Sequence, residues 1–334
     1  RRTIQKEINQ MVDQIDDNAL ATYNGKYLVD GSRNAKGAAT CTTLTNTALS
    51  TAAAWGSGLT TLQSRTNESL NIQSTDNITV SYVRQGKTYT TTFQVGSTNA
   101  LSDILSKTAY NGSEGIKGST LMGTTSNKAL IGFDKAGNSV FTADNQTALS
   151  IEAAGRGTTY QISSFTISIT DNTGAVRKTA NTSLDAFGER IRAENESEDN
   201  ALVLQTGVKA NQAIKVSMTD MRSLALGLKG TDGSVLSVQT QDKANAAINT
   251  LDTALQKALD EQANIGAIQS RLNYTSSNLT TASENVQNSE STIRDADMAK
   301  EMTNYTKNNV LLQAAQSMLA QANQNSSAVL SLLQ

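Results

Sequence analysis

A long apolar helix at the carboxyl end of this 334-residue chain constrains its folding more than any other feature. From Met298 onward, Met302, Tyr305, Leu311, Ala315, Met318, Leu319 and Ala322 recur at helical spacing, and the chain closes on Val329-Leu-Ser-Leu-Leu-Gln334. Terminal segments are usually polar and frayed unless something ties them down. A helix of this kind calls for burial against other copies of the chain or against another protein.

Two further helical seams accompany it. Residues 4–16 place Ile4, Ile8, Met11 and Ile15 at intervals of four, three and four, and Tyr23-Asn24-Gly25 supplies turn chemistry just beyond. From Asp242 the pattern is helical for about fifty residues. Ala244, Ile248, Leu251, Leu255, Ala258, Gln262 and Ile265 alternate four and three, as a coiled-coil seam does. The phase slips between Ile265 and Ile268, beside Gly266. It resumes at Leu272, Leu279, Ala282, Val286 and Ile293, and Arg294-Asp-Ala-Asp297 then interrupts it before the terminal helix. The two seams are expected to pack on each other.

Between these seams the pattern changes from helical to alternating. Residues 77–95 read as a β-hairpin turning at Gln85-Gly86-Lys87. Residues 128–152 read as a second, turning at Lys135-Ala-Gly-Asn138, and residues 159–179 as a third, turning at Asp171-Asn-Thr-Gly174. Short helices are expected near Leu59–Leu70 and Ala100–Lys107. The fold class expected is α+β: an elongated, multi-domain chain of long helices with an inserted β-rich domain.

The two ends also carry a resemblance. Ile293-Arg-Asp-Ala-Asp-Met-Ala-Lys-Glu-Met, Gln313-Ala-Ala, Met318-Leu-Ala-Gln-Ala-Asn and the terminal Val-Leu-Ser-Leu-Leu resemble the carboxyl end of bacterial flagellins. Thr3-Ile-Gln-Lys-Glu-Ile-Asn-Gln-Met-Val-Asp, followed by Tyr23-Asn-Gly-Lys-Tyr-Leu, resembles that family's second amino-side helix and its turn. Residues 202–218 resemble a hairpin of the same family, with Gly207-Val-Lys-Ala-Asn211 where the family has Gly-Ala-Asn, which implies a further hairpin there. The likeness covers residues 3–32 and 200–334, about half the chain, with an unrelated middle. The first residues, Arg1-Arg-Thr-Ile, lie within a helical pattern and carry no Met, so the chain is expected to lack the family's amino-terminal region.

Composition excludes several classes of chemistry. Histidine is absent, which removes Ser-His-Asp and Cys-His catalysis, His-ligated metals and the His-Glu-x-x-His protease some flagellins carry. Cys41 is the one cysteine and has no internal disulfide partner. Glu194, Glu196, Glu198 and Asp199 cluster, and a paired-carboxylate hydrolase needs two such groups. A solvated, charged linker explains them more simply. A net charge of −2 leaves no footprint for nucleic acid, and no apolar run reaches the length of a membrane span. Proline is absent, so no helix carries an internal breaker. No catalytic, metal or cofactor residues are expected.

The resemblance implies a structural subunit of the flagellar filament, extracellular, built from three parts. These are an inner helical domain from 1–32 and 200–293, an outer insertion of 33–199, and a terminal helix of 298–334. Inner-domain packing is expected through Ile4, Ile8, Met11, Ile15, Ile248, Leu251, Leu255, Ile265, Leu272, Leu279, Val286 and Ile293. Filament-core or export-chaperone contact is expected through Met302, Leu311, Leu312, Ala315, Met318, Leu319, Leu330 and Leu333. Implied partners are other flagellin subunits, an export chaperone, the filament cap and the host's Toll-like receptor 5. Glu7 matches one receptor contact position. With the amino-terminal region missing, weak receptor activation, a poorly packed 298–334 and no polymerisation by the chain alone are expected. The alternatives are a hook–filament junction protein, or a surface adhesin whose insertion binds a ligand; the Ser/Thr-rich stretch 40–66 is instead a candidate to carry glycans, as flagellin outer domains often do.

Overall fold

The computed structural model describes residues 1–108, 116–122, 129–142 and 147–332. In chain order the elements are α1 (Arg2–Ala19), β1 (Thr22–Tyr23), β2 (Lys26–Tyr27), β3 (Thr43–Asn46), β4 (Asn77–Arg84), β5 (Lys87–Gln94), α2 (Leu101–Ser106), β6 (Ile116–Met122), β7 (Leu130–Phe133), β8 (Ser139–Phe141), β9 (Thr147–Ala153), β10 (Ile162–Thr170), α3 (Lys178–Leu184), β11 (Phe187–Ile191), β12 (Leu202–Gln205), β13 (Ala213–Val216), α4 (Gln241–Arg294) and α5 (Met298–Leu332). The class is α+β. The chain divides into two compact units, Arg1–Gln269 and Ser270–Gln334, and the division falls inside α4.

Within the first unit, β10, β4 and β5 form an antiparallel sheet in that order, and β11, β3, β9 and β6 form a second. Alternate residues of both sheets meet in one core. Ile78, Val80 and Tyr82 of β4 join Phe165, Ile167 and Ile169 of β10, Leu44 of β3, and Leu149 and Ile151 of β9, with Leu101 and Ile104 of α2 beside them. The opposite face of the three-stranded sheet is polar: Thr79 and Ser81 of β4 stand between Thr90 and Thr92 of β5 and Thr166 and Ser168 of β10. Period-two alternation of this kind directs one face to the core and the other away from it.

The 77–95 hairpin forms as its spacing predicts. Gln85 and Gly86 both take positive φ (49° and 69°), as a two-residue turn requires. Gly86 sits against the 228–234 loop, where a Cβ would lie 2.5 Å from the Ser234 carbonyl oxygen. Ser234 also donates to the Gln85 carbonyl, so the hairpin tip is seated in that loop. The 202–218 hairpin forms as β12–β13, the first part of the 128–152 hairpin forms as β7–β8, and α2 fills the predicted second short helix.

Three expectations need correction. The stretch Leu59–Leu70 is helical only as a single 3-10 turn at Leu59–Thr61. Beyond it Leu62 and Leu70 are both buried, and the chain doubles back with the Leu70 N–H donating to the Leu62 carbonyl. Asn67 in the left-handed region makes the reversal (φ 62°). The third hairpin does not form either. Its turn is present, with the Asp171 carboxylate accepting from the Thr173 and Ala175 N–H groups, but the return stops at one bridge, Thr170 to Val176. The chain then enters α3, and β10 pairs with β4 instead. Likewise Leu149-Ser-Ile belongs to β9, which pairs with β3 and β6 rather than with β8.

α4 closes the polar face of the three-stranded sheet at one end. Ala246, Ala247, Thr250 and Ala254 are its buried residues there, spaced so that small side chains let helix and strand approach closely. Ser164 of β10 donates to the Ala246 carbonyl at 3.1 Å and hydrogen-bonds the Thr250 hydroxyl at 3.0 Å. Val83 of β4, Val12 of α1, and Leu226, Leu228 and Leu236 complete this second core. The helix continues unbroken through Gly266 to Arg294.

Asp185, after α3, accepts the Ile167 N–H at 3.2 Å in this region. Burial pushes its carboxyl up to about 6. A carboxyl raised in the fold favours folding below about pH 4 and loses that contribution as pH rises through about 6. Asp185→Asn should therefore raise stability at pH 7 by about 1–2 kcal/mol, solvent screening at this half-buried carboxyl holding the effect below that of a fully buried one. It should leave stability at pH 4 unchanged, as read by denaturant titration at both pH values.

Candidate protein interaction surface

α5 begins where Asp297 accepts the N–H groups of Ala299 and Lys300 at 3.0 and 3.2 Å, an acidic cap at a helix amino end. Its 35 residues include no Pro and no Gly, so nothing interrupts the turn-by-turn ladder. Met302, Tyr305, Val310, Leu311, Leu312, Met318, Leu319 and Leu330 are each between 54 and 72% exposed, and Ala315 is exposed beside them. Leu333 lies outside the described residues. Met302, Thr303, Thr306, Lys307, Val310 and Leu311 make a shallow, mostly apolar stretch of the α5 surface. Uncovered large apolar residues in this number, distributed around the helix, are far more than a monomer ordinarily leaves in water.

α4 shows the same imbalance in another form. The face it buries is the small-residue stripe continued by Lys257 and Glu261. The larger residues of the predicted seam lie elsewhere: Ile248, Leu251, Leu255, Ile265, Leu279, Val286 and Ile293 are exposed, and Leu272 is half-buried. In α1, Ile8 and Ile15 pack against the second core around Val12, while Ile4, Met11 and Glu7 are exposed. Thus Ile8 and Ile15 are brought to one core, and the large residues of the α4 seam are not brought to it with them.

Sequence reasoning passed over Val12, because it falls outside the four–three seam, and passed over the alanine stripe of α4. The spacing of Ala246, Ala247, Thr250 and Ala254 was the available signal. It also passed over a buried ionic group. Lys257 places its ammonium 3.7 Å from Glu189 of β11, Arg192 lies 3.6 Å from the same carboxylate and pairs with Asp260, and Thr219 donates to Glu261 at 2.8 Å. Burial drives the Lys257 ammonium below its usual range and the Glu189 carboxyl above its own. These contacts fasten the second sheet to the helix.

The acidic cluster is dispersed into pairs. Glu194 meets Lys135 at 2.7 Å and Asp199 meets Lys215 at 2.6 Å, while Glu196 and Glu198 are exposed. The Cys41 thiol donates to Glu152 at 2.9 Å. Burial, and then the neighbouring carboxylate, push that thiol up to about 11, where it stays protonated and a weak nucleophile. Among the described residues no group of three or more Cys, Asp and Glu side chains is placed to hold a metal ion. No described helix is long and apolar enough to cross a membrane.

Residues 248–333 match the family model for the bacterial flagellin C-terminal helical region. The Flagellar filament 33 kDa core protein of Treponema phagedenis is 47% identical over 128 residues, which are 38% of this chain and 45% of that protein. The protein named "Putative flagellin YvzB" of Bacillus subtilis (strain 168) is 42% identical over 141 residues, 41% of this chain and 84% of that protein. The flagellin of Clostridium tyrobutyricum is 29% identical over 329 residues, 97% of this chain and 71% of that one. The chain spans about half the length of the Treponema relatives it matches.

The burial pattern makes the two units differ in resistance to protease. In dilute solution, limited proteolysis should cut between 270 and 332 at least about tenfold faster than anywhere in 40–108 or 147–260, because local opening of an uncovered helix costs little. Gel bands identified by mass would check this.

Proposed function

Because the chain belongs to the bacterial flagellin family, we propose that it serves as a structural subunit of the extracellular flagellar filament, held in the polymer by burial of its helical apolar faces. Flagellins are a structural family, and the work proposed for this chain is mechanical. The observation that carries the reading is that the stretch matching the family, 248–333, is also the stretch whose large apolar residues are left uncovered.

Burial of apolar surface contributes about 25 cal/mol per Å², so moderate areas on several neighbours suffice for each subunit. In this reading residues 298–334 line the polymer. Residues 1–32 and 200–293 pack around that lining, and 33–199 face outward. Met302, Leu311, Leu312, Ala315, Met318, Leu319, Leu330 and Leu333 meet neighbouring subunits, and the same helix is held by an export chaperone before assembly. Ile248, Leu251, Leu255, Ile265, Leu272, Leu279, Val286 and Ile293 meet helices of the filament wall rather than this chain's own core. The filament cap is a further partner in this reading. Glu7, exposed on α1, is the point of contact proposed for Toll-like receptor 5.

The test is a double charge substitution on α5. Leu311→Glu with Leu319→Glu should lower the chain's incorporation into sheared filaments at least about tenfold, since each leucine contributes about 1.5–3 kcal/mol when buried. The thermal unfolding of the first unit should stay the same. Undiminished incorporation of this variant would overturn the assignment of α5 to the polymer.

A further inference from the structure

The three-stranded sheet has two edges, and the chain treats them differently. On the β10 side, α3 and its flank cap the outward backbone groups: Asp185 takes the Ile167 N–H, Asn181 takes the Ile169 N–H at 2.6 Å, and the Ile169 carbonyl accepts from Arg177 and from the Asn181 amide. Such capping keeps an edge strand from pairing with another chain. Among the described residues the β5 side has no equivalent. Lys87 opposite Arg84 closes a two-residue turn, so the antiparallel alternation turns the N–H and C=O groups of Thr88, Thr90 and Thr92 away from β4. Among the described residues these outward groups have no backbone partner.

The β5 edge is also built to accept its own copy. Between Lys87 and Gln94 it carries no charge and no Pro, so two such edges meet without repulsion and without a missing donor. Thr88, Thr90 and Thr92 are symmetric about Thr90. Within the chain the same face already carries a hydroxyl ladder, Ser81 to Thr90 and Thr79 to Thr92, both at 3.0 Å. A second copy rotated by 180° would continue that ladder in the same chemistry.

We propose that β5 pairs antiparallel with β5 of a second copy of this chain about a two-fold axis at Thr90, joining the two three-stranded sheets into one of six strands. Thr90 then exchanges both backbone hydrogen bonds with its counterpart, and Thr88 does so with Thr92 of the other copy. One strand pair buries much less than the roughly 1,200 Å² of a standard stable interface, so the contact stays open in dilute solution. It closes where subunits are held together at effective concentrations on the order of millimolar, and for that setting it rests on the filament reading above.

The experiment uses the full chain carrying Cys41→Ser, which removes the native thiol. Thr90→Cys and Thr92→Cys are made separately in that background, checked for unchanged thermal unfolding, and oxidised as soluble protein at about 1 mM, with disulfide dimers counted on non-reducing gels. Paired residues at the axis lie within disulfide reach, whereas two copies of position 92 stand roughly 13 Å apart along the strands. The Thr90→Cys chain should dimerise at least tenfold faster than the Thr92→Cys chain. A mixture of Thr88→Cys and Thr92→Cys chains should form the mixed dimer ahead of either homodimer. Equal rates for the Thr90→Cys and Thr92→Cys chains, or a mixed dimer no faster than the homodimers, would overturn the pairing. Because the assay needs no polymer, that failure would leave the filament reading standing, and loss of the filament reading would leave this result readable.

Discussion

The close approach of α4 to the polar face of the three-stranded sheet governs much of the rest. Helix and sheet can meet there because Ala246, Ala247, Thr250 and Ala254 present almost no side chain, and because the Ser164 and Thr250 hydroxyls hydrogen-bond each other within the contact. Small residues on the buried face leave the large ones elsewhere on the helix. Ile248, Leu251 and Leu255 are thereby held in water by a helix that is itself firmly anchored. An anchored helix with an uncovered apolar face is a preformed docking element, and its ordering entropy has already been met by the fold.

The anchoring is polar as well as apolar. Lys257, Glu189, Arg192 and Asp260 make a partly buried ionic group whose separate members would each be costly to bury alone. Their arrangement fixes which turn of α4 faces β11, a matter that alanines by themselves specify poorly. The tip of the β4–β5 hairpin is seated in the 228–234 loop in a comparable way, through Gly86 and Ser234. The middle of the chain is thus tied into the first unit at several points, by hydrogen bonds and charge as much as by hydrophobic contact.

Much of this is legible in the sequence where a local rule decides the outcome. Turns with two residues at positive φ announce themselves, as at Asn24-Gly25 and Gln85-Gly86, and the hairpins around them form. The long helices follow from spacing alone. The expected 159–179 hairpin fails because a good turn at Asp171 does not oblige the chain to return as a strand, and Lys178–Leu184 has the local freedom to become a helix that caps β10. The helical seams reveal that α4 has an apolar face and that α5 is rich in large apolar residues. They do not reveal which face of α4 the chain itself buries, because alanine weighs little in a hydrophobic pattern although it is what permits close packing. The pairing of Lys257 with Glu189 joins residues far apart in the chain, and no local pattern carries it.

The central claim is that the apolar side chains of α4 beyond Gln269 and of α5 are open in the single chain and closed by other copies. Amide hydrogen exchange of peptides from 270–332 tests it most directly, compared between dilute chain and sheared filaments containing it. The account predicts protection rising by at least about 100-fold on assembly, while peptides from β4, β9 and β10 change little. Full protection already present in the dilute chain, or none gained in the filament, would contradict it.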